Sequence, residues 1–272
     1  MHTGSRYIKN LLIITLFFLS TGPGLPDRAI SVTASHSINP LEIDQNNSEE
    51  IARLKASLTS SDEEERRNAV LTLATIGTPA AAAALATVVD DSSPKVRAAA
   101  IAGLGYTGDQ NYVPLASALL ARDKEVFVRK AAAYALGRLR GPVATTALVE
   151  ALKYKEAEIR GAAAAALAEY AATSAIEPLM RLLNDKSDFV RAQAARALGI
   201  NGSAARAAIP ALIKVLDSDK SIEAKQEAAI ALGSIGDRSA LPALNRAQRD
   251  EGPYLSRAAI DAIKRIEQRE PR

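Results

Sequence analysis

The chain contains no cysteine. That removes disulfides, thiolate metal sites and cysteine nucleophiles together, and it fits an oxidising compartment, where a free thiol is a liability. There are two histidines, His2 and His36, both upstream of the periodic part of the sequence. Within that part no histidine-based metal site, Ser-His-Asp triad or Cys-His pair can be built. Tryptophan is absent, and aromatics make up 4% of residues against 48% hydrophobic residues in all. The apolar mass is therefore alanine, leucine, isoleucine and valine, and alanine is the best helix former. An all-α protein with thin, tightly packed layers is expected. Excess charge of one sign is also lacking. The net charge is +3, and residues 1–34 hold Arg6, Lys9 and Arg28 against Asp27, so the remainder stands at 31 basic and 30 acidic residues. A nucleic-acid binder usually carries a basic stripe or patch, and no basic run longer than a pair occurs here.

No apolar run approaches the roughly 20 residues that span a bilayer. The tract LLIITLFFL (Leu11–Leu19), preceded by Arg6 and Lys9 and followed by the helix-breaking TGPGLP, has the layout of a secretory signal peptide. The sequence Val32-Thr33-Ala34 offers small residues for cleavage after Ala34, and Gly22 or Gly24 marks an earlier alternative. An uncleaved anchor is the other reading of the same tract. The expected organisation is a signal peptide over 1–34, a disordered linker over 35–48 rich in Ser and Asn, and one elongated domain over 49–272. The expected location is secreted or periplasmic, with no stable membrane span after cleavage.

What is abundant is self-similarity. Four segments share one register: VRAAAIAGLGYTG, VRKAAAYALGRLR, IRGAAAAALAEYA and VRAQAARALGING, with Arg97, Arg129, Arg160 and Arg191 as the shared arginine. Weaker copies carry Arg66, Lys225 and Ser256 at that position, and the steps are 31, 32, 31, 31, 34 and 31 residues. Such a period means a solenoid, in which each unit buries its apolar face only against its neighbours. A second amphipathic segment precedes most copies, for example VPLASALLA (Val113–Ala121) and AIPALIKVLD (Ala208–Asp217), with Pro114, Pro178, Pro210 and Pro242 in the first turn. Gly77, Gly105, Gly108, Gly137, Gly141, Gly199, Gly202, Gly233 and Gly236 cluster toward the ends of the arginine-bearing helices, where left-handed caps are expected. Seven antiparallel pairs result, and charged first and last pairs cap the two ends.

This pattern resembles the HEAT family, and its short variant named after the phycobilisome lyases, over about residues 49–268. The resemblance implies a right-handed α-solenoid. It also implies a role for an aspartate six residues before the arginine position, present as Asp91, Asp123, Asp185, Asp219 and Asp250. In the family, turn aspartates and helix arginines form a hydrogen-bonded ladder between repeats, here Asp91, Arg97, Asp123, Arg129, Arg160, Asp185 and Arg191. The same aspartates can cap the incoming helix. Tyr154 replaces the aspartate in the fourth repeat and Lys225 the arginine in the sixth, so those joints are expected to be weaker. The loop Ile200–Arg206, inside the 34-residue step, is expected to be irregular.

The resemblance also places the second helices on a concave face. Positions one, five and nine after the arginine share a side of the helix. Tyr106, Tyr134, Arg138 and Arg196 would form a central patch there with Glu169 beside it. Tyrosine and arginine dominate binding hot spots, so these are the candidate partner-binding residues. Catalytic chemistry finds little support. Most carboxylates fall at turns or on charged faces such as Ser61–Glu65. No phosphate-binding glycine motif follows a strand pattern. The His-Glu iron chemistry of HEAT-type deoxyhypusine hydroxylases has no residues to use. The expected function is an exported, non-enzymatic scaffold that binds a protein or peptide, with no cofactor, metal or nucleic acid. A phycobilin-lyase-like enzyme or enzyme accessory is the alternative.

Overall fold

The computed structural model describes residues 40–250 and 252–269. The proposed signal peptide and residues 35–39 lie outside the described residues. Fourteen α-helices among the described residues run α1 Pro40–Ser57, α2 Glu63–Ile76, α3 Pro79–Ala86, α4 Pro94–Thr107, α5 Val113–Arg122, α6 Val126–Leu139, α7 Gly141–Ala151, α8 Ala157–Leu167, α9 Ile176–Leu182, α10 Asp188–Ile200, α11 Ile209–Ser218, α12 Ile222–Ile235, α13 Leu241–Ala247 and α14 Pro253–Glu267. They pack as seven sequential hairpins. The even-numbered helices carry the arginine position and are the second helices. α1 begins at Pro40, so residues 40–48, expected as linker, are helical. Proline suits a first helical position because its missing N–H has no partner there anyway.

Local chemistry explains most boundaries. Asp62, Thr78, Ser93 and Ser221 cap α2, α3, α4 and α12 by accepting a backbone N–H two or three residues on. Gly77 and Gly236 end α2 and α12 in the left-handed region, with φ of 63° and 78°. The core is a column of repeated positions. Leu73, Leu104, Leu136, Leu167, Leu198 and Leu232, each seven residues after the arginine position, are fully buried.

Four of the nine glycines read as caps have a different job. Gly105, Gly137, Gly199 and Gly233 lie inside second helices, and only Gly77, Gly108, Gly141, Gly202 and Gly236 have positive φ. A Cβ on Gly105 would sit 2.7 Å from the Cα of Ala135, and one on Gly233 the same distance from the Cα of Ala262. Gly137 and Gly199 meet Ala166 and Ala231 in the same way, at 2.9 Å to the nearest atom. Neighbouring second helices thus cross almost backbone to backbone, which interhelical spacing normally forbids to larger side chains.

The ladder is present. Arg97 donates to both carboxylate oxygens of Asp123 in the next repeat, at 2.7 and 2.9 Å, and to the carbonyl of Asp91 in its own turn at 2.9 Å. Arg66–Asp91, Arg160–Asp185 and Arg191–Asp219 repeat the fork at 2.6–2.9 Å. The aspartates are not the N-caps. Asp91 and Asp123 instead accept the N–H of the cap residues Ser93 and Glu125, so each braces a cap while gripping an arginine. Burial pushes the Asp91, Asp123 and Asp185 carboxyls up, but their arginine forks and backbone N–H bonds together outweigh it and hold them below the ordinary value. For Asp219 the Arg191 bond is the largest influence, and the result is again a lowered carboxyl.

The fourth repeat departs from the pattern as Tyr154 implied. Arg129 reaches Glu156 through one bond of 3.2 Å, gives its Nε to the Leu120 carbonyl, and places its guanidinium 4.9 Å from the Tyr154 ring centroid. The Glu156 side chain is 38% exposed, against 4% for Asp123. Lys225 cannot make an arginine's fork, and Ser256, at the arginine position of the last repeat, donates within its own repeat to the Gln248 carbonyl at 2.7 Å. The 34-residue step is absorbed by a 3₁₀ stretch, Gly202–Ala208, broken at Ala205. The Arg191–Asp219 fork beside it stays intact, so the insertion leaves the joint whole. At the far end Arg269 donates to the carbonyls of Ile235 and Ser234, capping α12; residues 270–272 of the expected polar terminus lie outside the described residues.

Candidate functional site

The second helices lie side by side, and on α2, α4 and α6 positions one, five and nine reach the surface. Over α2, α4 and α6 these positions enclose a groove of about 470 Å³, within the range of about 300–1,000 Å³ typical of ligand sites. Its floor is Leu71, Ala98, Ala102 and Ala131, with Ala74 and Ala135 behind. Tyr106, Tyr134 and Phe127 form walls, and Arg67, Lys95, Lys130 and Arg138 supply four cations. Alanine creates the depression, because the same small residues that let the helices close up leave the surface above them low.

Three of the five sequence candidates, Tyr106, Tyr134 and Arg138, meet in this groove. The Arg138 guanidinium lies 4.2 Å from the Tyr106 ring centroid, joining α6 to α4. Tyr134 packs partly against the core, and burial pushes its phenol up. Glu169 does not join them. α8 ends at Leu167, so the ninth position falls in the turn beyond the helix, where four-residue spacing no longer holds a face. Arg196 is exposed on α10, away from the groove.

The sequence reading missed Phe127 and Lys95, which lie two residues before the arginine position. That column was legible. It holds Glu64, Lys95, Phe127, Glu158, Phe189, Glu223 and Tyr254, and one helical step carries it onto position one. Phe189 shows the consequence, since its ring lies directly on Gly161 of the previous repeat. A smaller hollow of about 250 Å³ repeats the arrangement between α12 and α14, lined by Ile230, Tyr254, Arg257 and Asp261 among others. Among the described residues no cluster of three or more His, Asp or Glu could hold a metal ion, and no helix is long and apolar enough to cross a membrane.

The HEAT-repeat pattern matches residues 84–168, 150–219 and 209–272, and the PBS lyase HEAT-like repeat matches residues 65–91. The chain belongs to the HEAT-repeat family. Among curated proteins none matches the sequence. Solved structures resemble the HEAT stack at low identity. The complex of CpcE and CpcF of phycocyanin lyase from a Nostoc species has a TM-score of 0.52 at 22% identity, covering 89% of this chain and 94% of that one. The YibA protein of E. coli has a TM-score of 0.51 at 20% identity, covering 87% of this chain and 100% of its own. An engineered protein has a TM-score of 0.50 at 24% identity, with coverages of 80% and 68%. These likenesses carry the solenoid fold.

Proposed function

We propose that this HEAT-repeat chain is an exported scaffold that holds a segment of a partner protein against its second-helix face. The groove over α2, α4 and α6 carries the reading. It joins an apolar alanine floor, aromatic walls and four cations on rigid helices whose joints are fixed by largely buried arginine forks. Rigid presentation lowers the ordering cost of binding, and Tyr and Arg are the side chains most often found at hot spots. No carboxylate or histidine lines the groove, which favours binding over lyase-like acid–base chemistry. The leader sequence supports export.

The experiment is affinity capture of the tagged full-length protein from its host, with mass spectrometry of bait and prey. A stoichiometric envelope protein lost on Arg138→Glu, together with a bait lacking residues 1–34 or ending its leader near Gly22 or Gly24, is the expected result. A cytosolic bait with its leader intact and a bound pigment in place of a protein would reverse the reading toward a lyase-like role.

A further inference from the structure

We infer that the groove over α2, α4 and α6 receives an amphipathic helix of the partner, apolar along one stripe and acidic on both flanks. This rests on the binding-face reading above and adds the conformation and charge of what binds.

Charge points to an acidic partner. The groove is edged by cations and lined by no carboxylate. Glu64 and Glu63 already hold Arg67 at 3.0 Å and Lys95 at 3.2 Å. Among the described residues, Lys130 and Arg138 make no ion pair. Both lie on α6, eight residues apart, which is about 12 Å at 1.5 Å per residue. That matches the diameter of a helix with its side chains, about 10–12 Å. A helix lying across α2, α4 and α6 would set one acidic flank against Lys130 and the other against Arg138.

The floor points to a helix. It offers alanines and Leu71, with no Asn, Gln, Ser or Thr among the lining residues. The backbone groups of α2, α4 and α6 bond within their own helices. An extended peptide buried here would leave its own N–H and C=O groups unpaired, which is costly. A helix satisfies them internally. Helices spaced about 8–10 Å apart make a floor about 20 Å across, or about 13 helical residues. Phe127, 45% exposed, stands as an apolar edge for the partner's stripe to cover.

The test titrates full-length protein with a fluorescein-labelled helical peptide of about 14 residues, leucine at three- and four-residue steps and glutamate on both flanks. One control scatters the leucines; another replaces glutamate by lysine. Expected are saturable anisotropy for the first peptide, a rise in helical circular dichroism on binding, and affinity that falls with salt. Both controls should bind at least about tenfold more weakly, and Lys130→Glu/Arg138→Glu should lose about tenfold. Ala102→Phe, which fills the floor without touching charge, should lose binding as well. Equal binding of all three peptides, or full affinity in both variants, overturns the inference. So does binding of a linear tetrapyrrole dicarboxylate with none of the peptide. If the peptide fails while partner capture still depends on Arg138, the helix assignment falls and the binding face stands. If capture is also independent of Arg138, both fall.

Discussion

Arg138 of α6 stacks its guanidinium over the ring of Tyr106 of α4, 4.2 Å from the centroid. The contact crosses a joint where Gly105 already meets Ala135 nearly backbone to backbone. The cation is therefore held in a fixed place at the groove's edge without a carboxylate to neutralise it. A cation–π contact at such a site is worth about 0.5–1 kcal/mol, small for stability but enough to orient a charge. Tyr106→Leu should leave the melting temperature within a few degrees and weaken partner capture. Capture as strong as in the wild type would show that the stacking does not set the arginine's role.

Tyr134 needs a more careful variant than its exposed neighbours, since it packs against the core. Tyr134→Ala is expected to cost about 1–2 kcal/mol, whereas Arg138→Ala should cost under about 1 kcal/mol. Thermal unfolding of the two single variants checks this.

The ladder predicts unequal joints. Asp123 is 4% exposed and holds a two-pronged fork, so Asp123→Ala leaves the Arg97 guanidinium without its carboxylate and held only by the turn carbonyls of Asp91 and Ser92. A loss of about 3 kcal/mol is expected. Glu156→Ala removes a single 3.2 Å bond from a side chain 38% exposed and should cost under about 1 kcal/mol. Urea unfolding of both variants decides the point. Equal losses would mean that the fork is not what couples the repeats.

Acid should act on the same forks. The folded-state carboxyls of Asp91, Asp123, Asp185 and Asp219 lie below their ordinary values, the unfolded reference being about 3.9. Near pH 4 the unfolded chain then binds more protons than the folded one, so stability rises with pH. The contribution is complete above the unfolded value and is lost as pH falls through the folded one. Denaturant midpoints at pH 5 and pH 3 should differ less in Asp219→Asn than in the wild type. An identical pH response in the two proteins would contradict the linkage.

Two glycines separate close approach from capping. Gly105→Ala drives a Cβ to 2.7 Å from the Ala135 Cα, and overpacking of this kind costs about 1–3 kcal/mol. Gly108 has φ of 68° with nothing within 4 Å of an added Cβ, so Gly108→Ala costs only the left-handed penalty, about 1–2 kcal/mol. Their effects should also differ in kind, because only Gly105→Ala widens the α4–α6 joint and disturbs the Arg138–Tyr106 stack. A partner-capture defect confined to Gly105→Ala is the expected signature.

The repeat period and the seven hairpins were readable from the chain, because each follows from residues that recur in one register; the arginine forks followed from the resemblance to HEAT repeats, with the register supplying the residues. Tyr154 correctly marked a joint that departs from the rule. The four interior glycines were misread because a glycine near a helix end looks the same whether it turns the chain or admits a neighbour. Only the position of Ala135, Ala166, Ala231 and Ala262 across the joint tells the two apart. Glu169 left the groove because α8 stops at Leu167, an end set by the turn that follows and not by periodicity. Phe127 and Lys95 were missed because the face extends one helical step before the arginine, a column the motif alone did not draw in.

The most direct test of the account is quantitative partner capture by full-length wild type, Arg138→Glu and Arg196→Glu, read by mass spectrometry. Both residues are exposed arginines on second helices, but only Arg138 lines the groove. The account predicts that Arg138→Glu loses the partner while Arg196→Glu keeps it. Equal retention by both, or equal loss, would contradict the assignment of binding to the groove over α2, α4 and α6.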